Sequence, residues 1–503
     1  MPADRIDPEF RALPLSALAD AALSRARELG AQHADLRVER IQSQGIDLRD
    51  GSVTGVSDTT TIGLAVRVIV DGVWGFASHV ELTPERAAAT AARAVDVART
   101  LAPVAVERVV RADEPVYAGA EWVSAYDVDP FTVPVREKVA LLAEWSGRLL
   151  ASDGVDHVHA AVSQVRENKF YADTAGTSTV QQRVRIGPSV VATAVDRAAG
   201  GFETMASLAP PAGRGWEYLT GTGWDFDDEL ARMPELLAEK VKAPSVAAGA
   251  YDLVIDPTNL WLTIHESVGH ATEYDRAIGY EAAYAGTSFA TPDQLGRLRY
   301  GSQLMHVTGD RTVPHGLATI GYDDDGVATT EWDLVRDGVL VGYQLDRTFA
   351  PRLGLERSNG CAFADSPHHV PIQRMANVSL RPDPERDTSV DELIAGVDRG
   401  IYVVGDKSWS IDMQRYNFQF TGQRFYRIEG GKLAGQLRDV AYQATTTDFW
   451  GSMDAVGGPS TWQLQGAMNC GKAQPGQVAA VSHGCPAARF RGVNVLNTQE
   501  EGR

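Results

Sequence analysis

The sequence predicts an α+β protein in which N-terminal helix-and-antiparallel-sheet units precede a large, mainly antiparallel β domain that carries one functional helix. Up to about residue 243, helical segments alternate with groups of strand-like runs. After about residue 300, runs of alternating polarity follow one another, and the Asp-Gly and Gly-Gly pairs between them are typical of hairpin turns. A single capped, helix-like stretch near residue 260 stands before this β pattern.

Length and composition bound the class of protein. At 503 residues the chain is too long for one ordinary domain. The pattern predicts three: an N-terminal α/β-meander unit at 1–110, a second α+β unit at 120–243 and a β-rich C-terminal domain at 250–503. A hydrophobic fraction of 44% with 22% charged residues is typical of a soluble globular protein. The net charge of −19 argues against nucleic acid as the main partner, because phosphate binding needs a basic surface.

Targeting and redox features predict a cytoplasmic protein without a membrane segment. The first residues lack the apolar segment of a secretory signal, and no apolar run approaches the roughly 18 residues that cross a membrane. Three cysteines do not make a disulfide framework in so long a chain. We therefore expect reduced cysteines, which can serve as thiolate ligands.

The first unit is predicted to be two helices with a meander between them. One helix spans about 15–29. An Ala-rich helix runs from Pro84 to about residue 101, with Thr83 as its N-cap and Pro84 at its first position. Asp-Gly turns separate the meander strands, which are predicted at 34–38, 45–48, 61–70 and 73–77.

The second unit repeats this order of elements. A helix at 133–152 precedes four predicted strands, and a further helix covers 228–242. The recurrence of a helix followed by a meander suggests a loose internal duplication. The four strands are predicted at 155–164, 169–173, 178–185 and 190–195.

In the third unit, a strand at 251–255 leads into the helix-like stretch. Asp256 is the predicted N-cap and Pro257 the first helical residue, and we expect the helix to end near Arg276. The segment 279–301 is predicted to cross over this helix without regular structure. Strands then follow at 328–335, 339–346, 376–380, 400–404, 417–429 and 432–441.

Two histidines and a glutamate in this helix-like stretch have the chemistry of a catalytic metal site. His265, Glu266 and His270 form the pattern H-E-x-x-x-H, in which imidazoles bind zinc and the carboxylate takes a proton from the bound water. The spacing is one residue longer than in the H-E-x-x-H motif. Residues i and i+5 lie about 140° apart around a regular α-helix. Shared metal binding therefore requires a π-bulge between Glu266 and His270, and Gly269 is expected to let the backbone deform.

The motif and several later stretches resemble the TldD/PmbA family of metalloproteases. The resemblance is to the metal-bearing, TldD-like type of subunit. It implies a zinc metalloprotease that acts on unfolded or extended peptides and holds one Zn²⁺ per chain. It also implies a dimer, formed by two copies or with a PmbA/TldE-like partner chain. The matching stretches are 265–270 with Glu273 and Asp275, 323–326, 336–340, 374–377, and 469–472 with Gln474.

A catalytic zinc usually takes three protein ligands and leaves one position for water. The resemblance places the third ligand at Cys470, in a Cys-Gly-Lys motif for which a loop-like setting is expected. Glu273 or Asp275 fits better as the partner of a histidine's second nitrogen, and Lys472 as a structural partner for a carbonyl or carboxylate. By residue type, the alternatives to Cys470 as third ligand are Glu273, Asp275, His483, Cys485 and Cys361.

Together these residues predict a zinc-dependent metalloprotease in which Glu266 assists the attack of a metal-bound water on a peptide bond. Two other interpretations stay open. One is a zinc amidohydrolase that acts on small peptide-like metabolites. The other is a non-enzymatic modulator or binding subunit with a structural metal, which would usually be closed by four protein ligands. The sequence does not assign the donor that stabilises the negative oxygen; a Tyr, Arg or His of the C-terminal domain would serve.

Overall fold

A computed structural model describes residues 6–196 and 201–501, and it confirms the predicted α+β class. Helices pack beside one large sheet in the N-terminal half, and antiparallel strands dominate the C-terminal half. Among the described residues, no helix has the length and apolar character needed to cross a membrane.

The four helices predicted in the N-terminal half are confirmed, at Leu15–Glu28, Pro84–Leu101, Val135–Leu150 and Phe226–Lys242. Thr83 caps the second of them as predicted, because its side chain accepts the backbone N–H of Arg86. In chain order, the elements are α1 (Pro8–Arg11), α2 (Leu15–Glu28), β1 (His33–Arg49), β2 (Ser52–Val70), β3 (Val73–His79), α3 (Pro84–Leu101), β4 (Ala118–Val123), α4 (Val135–Leu150), β5 (His157–Asp173), β6 (Ser178–Asp196), β7 (Gly201–Ala206) and α5 (Phe226–Lys242).

One seven-stranded sheet runs through this half, in the order β3-β2-β1-β5-β6-β4, with β7 beside β6. β1 pairs antiparallel with both β2 and β5. Strands of the first two predicted units therefore share one sheet. The division of this half into two units stays a prediction. Predicted short strands join into longer ones. The runs 34–38 and 45–48 both lie in β1, and β6 continues through Pro188, where the sequence suggests a break.

The two faces of β1 serve different purposes. Because side chains alternate along a strand, Leu36 and Val38 point to one face, where they pack with α2 and α3. Leu48 lies further along the same face and packs with α4 and α5. Arg37 lies on the opposite face, and its guanidinium pairs with Asp324 of the C-terminal half at 3.2 Å. The polar face of this sheet is therefore buried against the C-terminal half.

Buried ion pairs fix the sheet to the C-terminal half. Arg67 Nη2 lies 2.7 Å from Asp325 Oδ1, and Lys169 Nζ lies 2.8 Å from Asp324 Oδ1. The segment 323–326 forms a turn, and its aspartates are almost fully buried. Charges removed from water need partners, and the sheet strands provide them here.

The C-terminal half begins with the strand and helix predicted from the sequence. In chain order, its elements are β8 (Gly249–Ile255), α6 (Pro257–Ile264), α7 (Tyr274–Ala277), β9 (Val307–Asp310), β10 (Glu331–Arg336), β11 (Val339–Leu340), β12 (Ala362–Phe363), β13 (Ile372–Gln373), β14 (Asn377–Leu380), α8 (Val390–Ala395), β15 (Arg399–Ile411), β16 (Asn417–Glu429), β17 (Lys432–Leu437), β18 (Val440–Thr445), α9 (Thr446–Gly451), β19 (Met453–Val456), β20 (Gln463–Lys472), β21 (Gln477–Cys485), β22 (Ala488–Asn497) and α10 (Thr498–Glu501).

Five of these strands close into a barrel, in the order β15-β8-β22-β18-β16, because β16 also pairs with β15. Aromatic rings fill its core, where Phe449 stacks on Phe490 with ring centroids 4.1 Å apart. α6 lies against this barrel. Asn259 Nδ2 donates to the carbonyl oxygens of Gly405 and Thr421, at 2.9 and 3.0 Å. The barrel therefore fixes the position of α6.

Two elements predicted next to α6 are wrong in extent, and one contact explains both. The strand predicted at 339–346 ends at Leu340, because Gln344 leaves the sheet and its N–H donates to the carbonyl oxygen of Thr272 at 2.9 Å. The helix predicted to end near Arg276 stops before this point, since Glu273 forms an isolated bridge with Gln344. A short separate helix, α7, follows.

Candidate metal centre

The helix that carries the H-E-x-x-x-H motif starts where the sequence predicts. The Asp256 carboxylate accepts the N–H of Thr258 at 3.0 Å, and Pro257 takes the first helical position. Every residue of α6 is buried. The motif therefore begins immediately after a helix that is capped at its start and buried along its whole length.

The predicted π-bulge is confirmed. Residues His265–Gly269 form a π-helical turn, in which the N–H of His270 donates to the carbonyl oxygen of His265 at 2.9 Å. This i to i+5 bond replaces the α-helical pattern and inserts one residue into the turn. The rings of His265 and His270 consequently lie edge to face, with centroids 4.6 Å apart.

Gly269 has a different role from the expected one. Its φ is not positive, so the bulge does not need glycine's conformational freedom. Instead, a Cβ at this position would lie 2.6 Å from the Met375 sulfur. Glycine lets this buried side chain approach the turn. Carbonyl groups that the bulge removes from the helical pattern are bonded by side chains, since Tyr300 Oη donates to Ser267 O and Gln344 Nε2 to Gly269 O.

Cys470 joins the two histidines across 200 residues of chain. Its Sγ lies 3.7 Å from His270 Nε2, and the ligand atoms of His265, His270 and Cys470 all lie within 4.8 Å of one another. The expected loop-like setting of Cys470 is wrong, because this residue lies in β20, which pairs with β21. The register shifts between Ala467 and Cys470, and such an irregularity re-aims a strand side chain.

The alternative cysteines are not brought to this cluster. Cys485 is buried with its Sγ 3.6 Å from the carbonyl oxygen of Pro257, and Cys361 contacts the Asn359 side chain at 3.5 Å. Within residues 6–196 and 201–501, His265, His270 and Cys470 form the single group of three or more ligand side chains close enough to share an ion.

Each histidine is held by a different partner. His270 Nδ1 lies 2.8 Å from Glu273 Oε2, which confirms the predicted role of Glu273. His265 Nδ1 lies 2.8 Å from His483 Nε2, and His483 Nδ1 lies 2.8 Å from the Val378 carbonyl oxygen. The carbonyl can only accept, so His483 carries its proton on Nδ1 and accepts the Nδ1–H of His265. The Nε2 of each of the two ligand histidines then carries no proton, and its lone pair can bind a metal ion.

A buried charge cluster stands behind Glu273. Lys472 Nζ lies 3.1 Å from Glu273 Oε1 and 2.8 Å from Asp275 Oδ1, and it also donates to the carbonyl oxygen of Gln373 at 2.8 Å. The predicted structural role of Lys472 is thus confirmed. Burial raises the pKa of Glu273, but Lys472 and His270 outweigh burial and hold this pKa well below its usual range. Glu273 therefore stays ionised as the acceptor for His270.

Glu266 lies beside this centre and is paired with an arginine that the sequence did not single out. Glu266 Oε2 accepts a hydrogen bond from Arg415 Nη1 at 3.0 Å, across 149 residues of chain. Burial raises the pKa of Glu266, but His270, His265 and Arg415 outweigh burial and lower it. Only the fold brings Arg415 to Glu266, so no local sequence pattern could have identified it.

The cluster opens into a cavity of about 590 Å³. Glu266, His265, His270 and Cys470 all line it, together with two tryptophans, Trp261 and Trp409. Much of its other wall comes from the end of β7 with the loop after it and from β20, at residues 206–211, 465–467 and 469–471, and the rest from Thr258, Leu262, Asp406, Arg415 and Gln423. A ligand in the cavity would therefore contact both the candidate metal ligands and a strand edge.

The donor set fits a zinc ion. Typical Zn–N and Zn–S lengths in a tetrahedral site place nitrogen and sulfur about 3.5 Å apart, and the Cys470 to His270 distance is 3.7 Å. Burial raises the pKa of the Cys470 thiol, but His270 and Arg374 outweigh burial and lower it, which favours the thiolate. Two imidazoles and one thiolate are ligands that zinc prefers.

The fold and this set of side chains define the class of protein as an α+β protein with a candidate His-His-Cys metal centre. Three family models match consecutive parts of the chain. They are described as PmbA/TldA metallopeptidase domain 1, at residues 34–98, the central domain, at 128–243, and the C-terminal domain, at 248–497. The chain belongs to the PmbA/TldD metallopeptidase family.

Individual relatives agree with this assignment. A metalloprotease of Methanothermobacter thermautotrophicus is 28% identical over 471 residues, which cover 93% of this chain and 96% of the relative. A zinc metalloprotease TldD homolog of Saccharolobus solfataricus is 23% identical, over 94% of this chain and 98% of the relative. The solved structure of TldE from Thermococcus kodakarensis has the same fold, with a TM-score of 0.70, 16% identity and coverage of 95% and 99%.

Proposed function

We propose that this chain is a zinc-dependent metalloprotease that hydrolyses peptide bonds in unfolded or extended peptides. The observation that carries the proposal is the convergence of His265, His270 and Cys470 on one point, with Glu266 beside them, on the wall of a cavity. The relatives described as metalloproteases, one of them as a zinc metalloprotease, support this activity and the choice of metal.

Each residue of the site has a role in this reaction. His265, His270 and Cys470 would hold one Zn²⁺, which supplies Lewis-acid chemistry and lowers the pKa of water. Glu266 takes a proton from the attacking water and delivers it to the leaving amine. Glu266 Oε2 is held by Arg415, whereas Oε1 has no hydrogen-bond partner among the described residues. One carboxylate oxygen is therefore anchored and the other is available for the proton.

The free edge of β20 supports extended peptides as substrates. Among the residues that the structure describes, β20 pairs with β21 alone, and its residues 465–467 and 469–471 border the cavity beside the candidate metal ligands. A peptide that adds as a strand to this edge gains main-chain hydrogen bonds, which carry little sequence selectivity. A folded protein cannot offer such a strand without local unfolding. We therefore propose that substrate conformation matters more than substrate sequence.

The partner chain belongs to the proposal as well. TldE from Thermococcus kodakarensis shares the fold over nearly the whole chain. We propose that the chain acts as a dimer, with a second copy or with a PmbA/TldE-like chain. Light scattering of the purified chain, alone and mixed with such a chain, measures the assembly directly; a monomer under both conditions would contradict this part.

The decisive experiment compares Glu266→Ala with His265→Ala. We expect Glu266→Ala to keep one zinc per chain and lose peptide hydrolysis, because it removes the base and leaves the ligands. His265→Ala should lose both zinc and hydrolysis. Zinc is measured by atomic absorption, and hydrolysis with unstructured peptides of increasing length. Wild-type hydrolysis by Glu266→Ala would show that the proposed base is wrong.

The same measurements separate the other interpretations. Cleavage confined to the shortest peptides would favour an amidohydrolase of small metabolites. Zinc bound without any hydrolysis, and with four protein ligands by X-ray absorption, would favour a modulator or binding subunit.

A further inference from the structure

One arginine reaches the wall of the cavity beside Glu266. Of the lysines and arginines in the described residues, Arg415 alone lines this cavity. Its Nη1 donates to Glu266 Oε2 at 3.0 Å, and its Nη2 donates to the Ala285 carbonyl oxygen at 3.2 Å. Its Nε is buried and has no hydrogen-bond partner among the described residues. A guanidinium has five N–H donors, and these two bonds use one on Nη1 and one on Nη2, so donor capacity remains next to the proposed base.

The backbone is fixed in a rare conformation at this position. Arg415 lies in the turn between β15 and β16 with φ at +63°, which non-glycine residues adopt only at a cost of about 1–3 kcal/mol. The Asp412 carboxylate accepts the N–H groups of Gln414 and Tyr416, at 3.0 and 2.9 Å. Thr446 Oγ1 donates to the carbonyl oxygen of Arg415 at 2.8 Å. These contacts stabilise the strained turn that directs Arg415 to the cavity.

The opposite side of the turn is also fixed. The N–H of Thr287 donates to the carbonyl oxygen of Met413 at 2.7 Å, and the N–H of Phe289 to that of Gln414 at 2.9 Å. A Cβ on Gly286 would lie only 2.0 Å from the Met413 oxygen, so glycine is needed for this close approach. Two irregular segments thus hold each other, and together they hold the guanidinium of Arg415.

We infer that Arg415 is a further catalytic residue, which stabilises the negative charge that develops on the substrate carbonyl oxygen. This inference rests on the proposed peptidase function. Peptide hydrolysis needs a donor for that oxygen in a water-poor site, and such donors are worth several kcal/mol of transition-state stabilisation. Arg415 has the required positive charge, and its donors lie at the proposed base.

The reaction steps give Arg415 two partners in turn. The oxygen of the attacking water bonds to the carbonyl carbon, the C=O π pair moves onto the carbonyl oxygen, and Glu266 takes the water proton. Protonation of Glu266 weakens its ion pair with Arg415. At the same step a negative charge forms on the carbonyl oxygen, which Arg415 can then stabilise. When the pair returns and the C–N bond breaks, the leaving nitrogen takes the proton from Glu266. Glu266 is then ionised again and re-forms its ion pair with Arg415.

The experiment uses the zinc-loaded full-length chain with Arg415→Met and Arg415→Lys. We expect kcat to fall by about 10²–10³-fold in Arg415→Met, while KM changes little and the zinc content stays at the wild-type level. Arg415→Lys keeps the charge but loses the planar fork, so its kcat should lie between those of the wild type and Arg415→Met. Arg427→Met is the matched control, because Arg427 lies exposed on β16 of the same hairpin and should keep wild-type kinetics.

A binding measurement separates direct contact with the substrate from action through Glu266. A peptide phosphinate carries a tetrahedral anionic centre, whereas the amide of the same sequence does not. Calorimetry in the Glu266→Ala background should show that adding Arg415→Met weakens phosphinate binding by about 10²-fold and leaves amide binding unchanged. Equal phosphinate affinity with and without Arg415 in this background would overturn the inference.

The two proposals fail in different ways. If the wild-type chain cleaves no peptide under any loading condition, the proposed function is wrong and the inference falls with it. If the wild type cleaves peptides and Arg415→Met cleaves them at the same rate with full zinc, only the inference about Arg415 is wrong.

Discussion

Replacing Lys472 by methionine removes one of the two cations that balance the buried charges behind the candidate metal centre. Lys472, Arg276, Glu273 and Asp275 form a set of two positive and two negative groups, and all four are at most 7% exposed at their side chains. Methionine has a similar length but no charge. The variant therefore leaves one uncompensated negative charge among buried side chains.

The expected magnitude follows from this burial. Breaking a buried ion pair by removing one partner costs about 3–5 kcal/mol, because the remaining charge stays desolvated. Zinc affinity should fall as well, by about 10–100-fold, which is the typical effect of losing the residues that orient a metal-bound histidine. Glu273 connects Lys472 to the candidate metal ligand His270, because one of its carboxylate oxygens accepts a hydrogen bond from His270 and the other accepts one from Lys472.

The assay is urea unfolding followed by tryptophan fluorescence, together with zinc competition against a chromogenic chelator. Lys432→Met is the control, because Lys432 is exposed in the β16–β17 hairpin; it should leave both measurements unchanged. Asp275→Asn in the Lys472→Met background restores charge balance and should recover part of the stability. An unfolding midpoint and a zinc affinity equal to those of the wild type would refute this account of the cluster.

Two further predictions concern His483 and a buried lysine. His483→Ala removes the acceptor for His265 Nδ1 and should weaken zinc binding by about 10–100-fold; His483→Gln, whose oxygen can accept the same proton, should recover part of it in the chelator assay. Burial lowers the pKa of Lys138 to about 8 from the value of 10.5 for an exposed lysine. Between these pH values the unfolded chain binds more protons, so stability rises with pH over this interval. Burial also lowers the pKa of Lys240 to about 8, so Lys138→Met should reduce that rise in urea unfolding at pH 7.5 to 10 without removing it; a rise of wild-type size would exclude Lys138 as a source.

Local sequence patterns identified the helices and the distorted turn of the site. Thr83 and Asp256 are N-caps followed by proline, and such caps act over a few residues, so the sequence alone locates them. The π-bulge follows from helical arithmetic once His265 and His270 are required to face one point. These predictions needed no knowledge of the rest of the chain.

The long strands and the supports of the site depend on contacts that are distant in sequence. The charged centre of β1 resembles a break between two short strands, because its buried partners, such as Lys169 for Glu39, lie far along the chain. Cys470 is a different case, because β20 pairs with the next strand, β21, in a local hairpin in which Cys470 lies opposite Ala479. Arg415 and His483 carry no local motif, and only the fold shows what they contact.

The unequal partners of the two histidines follow from the charges available around each. A carboxylate behind a ligand histidine raises the basicity of its ring, but a buried carboxylate needs a cation. Glu273 has Lys472 and Arg276. Around His483 the partners are neutral: the Val378 carbonyl, the indole of Trp261 and His265 itself. A carboxylate at position 483 would be an unpaired buried charge, whereas a neutral imidazole that donates to a carbonyl can accept from His265 without any counter-ion.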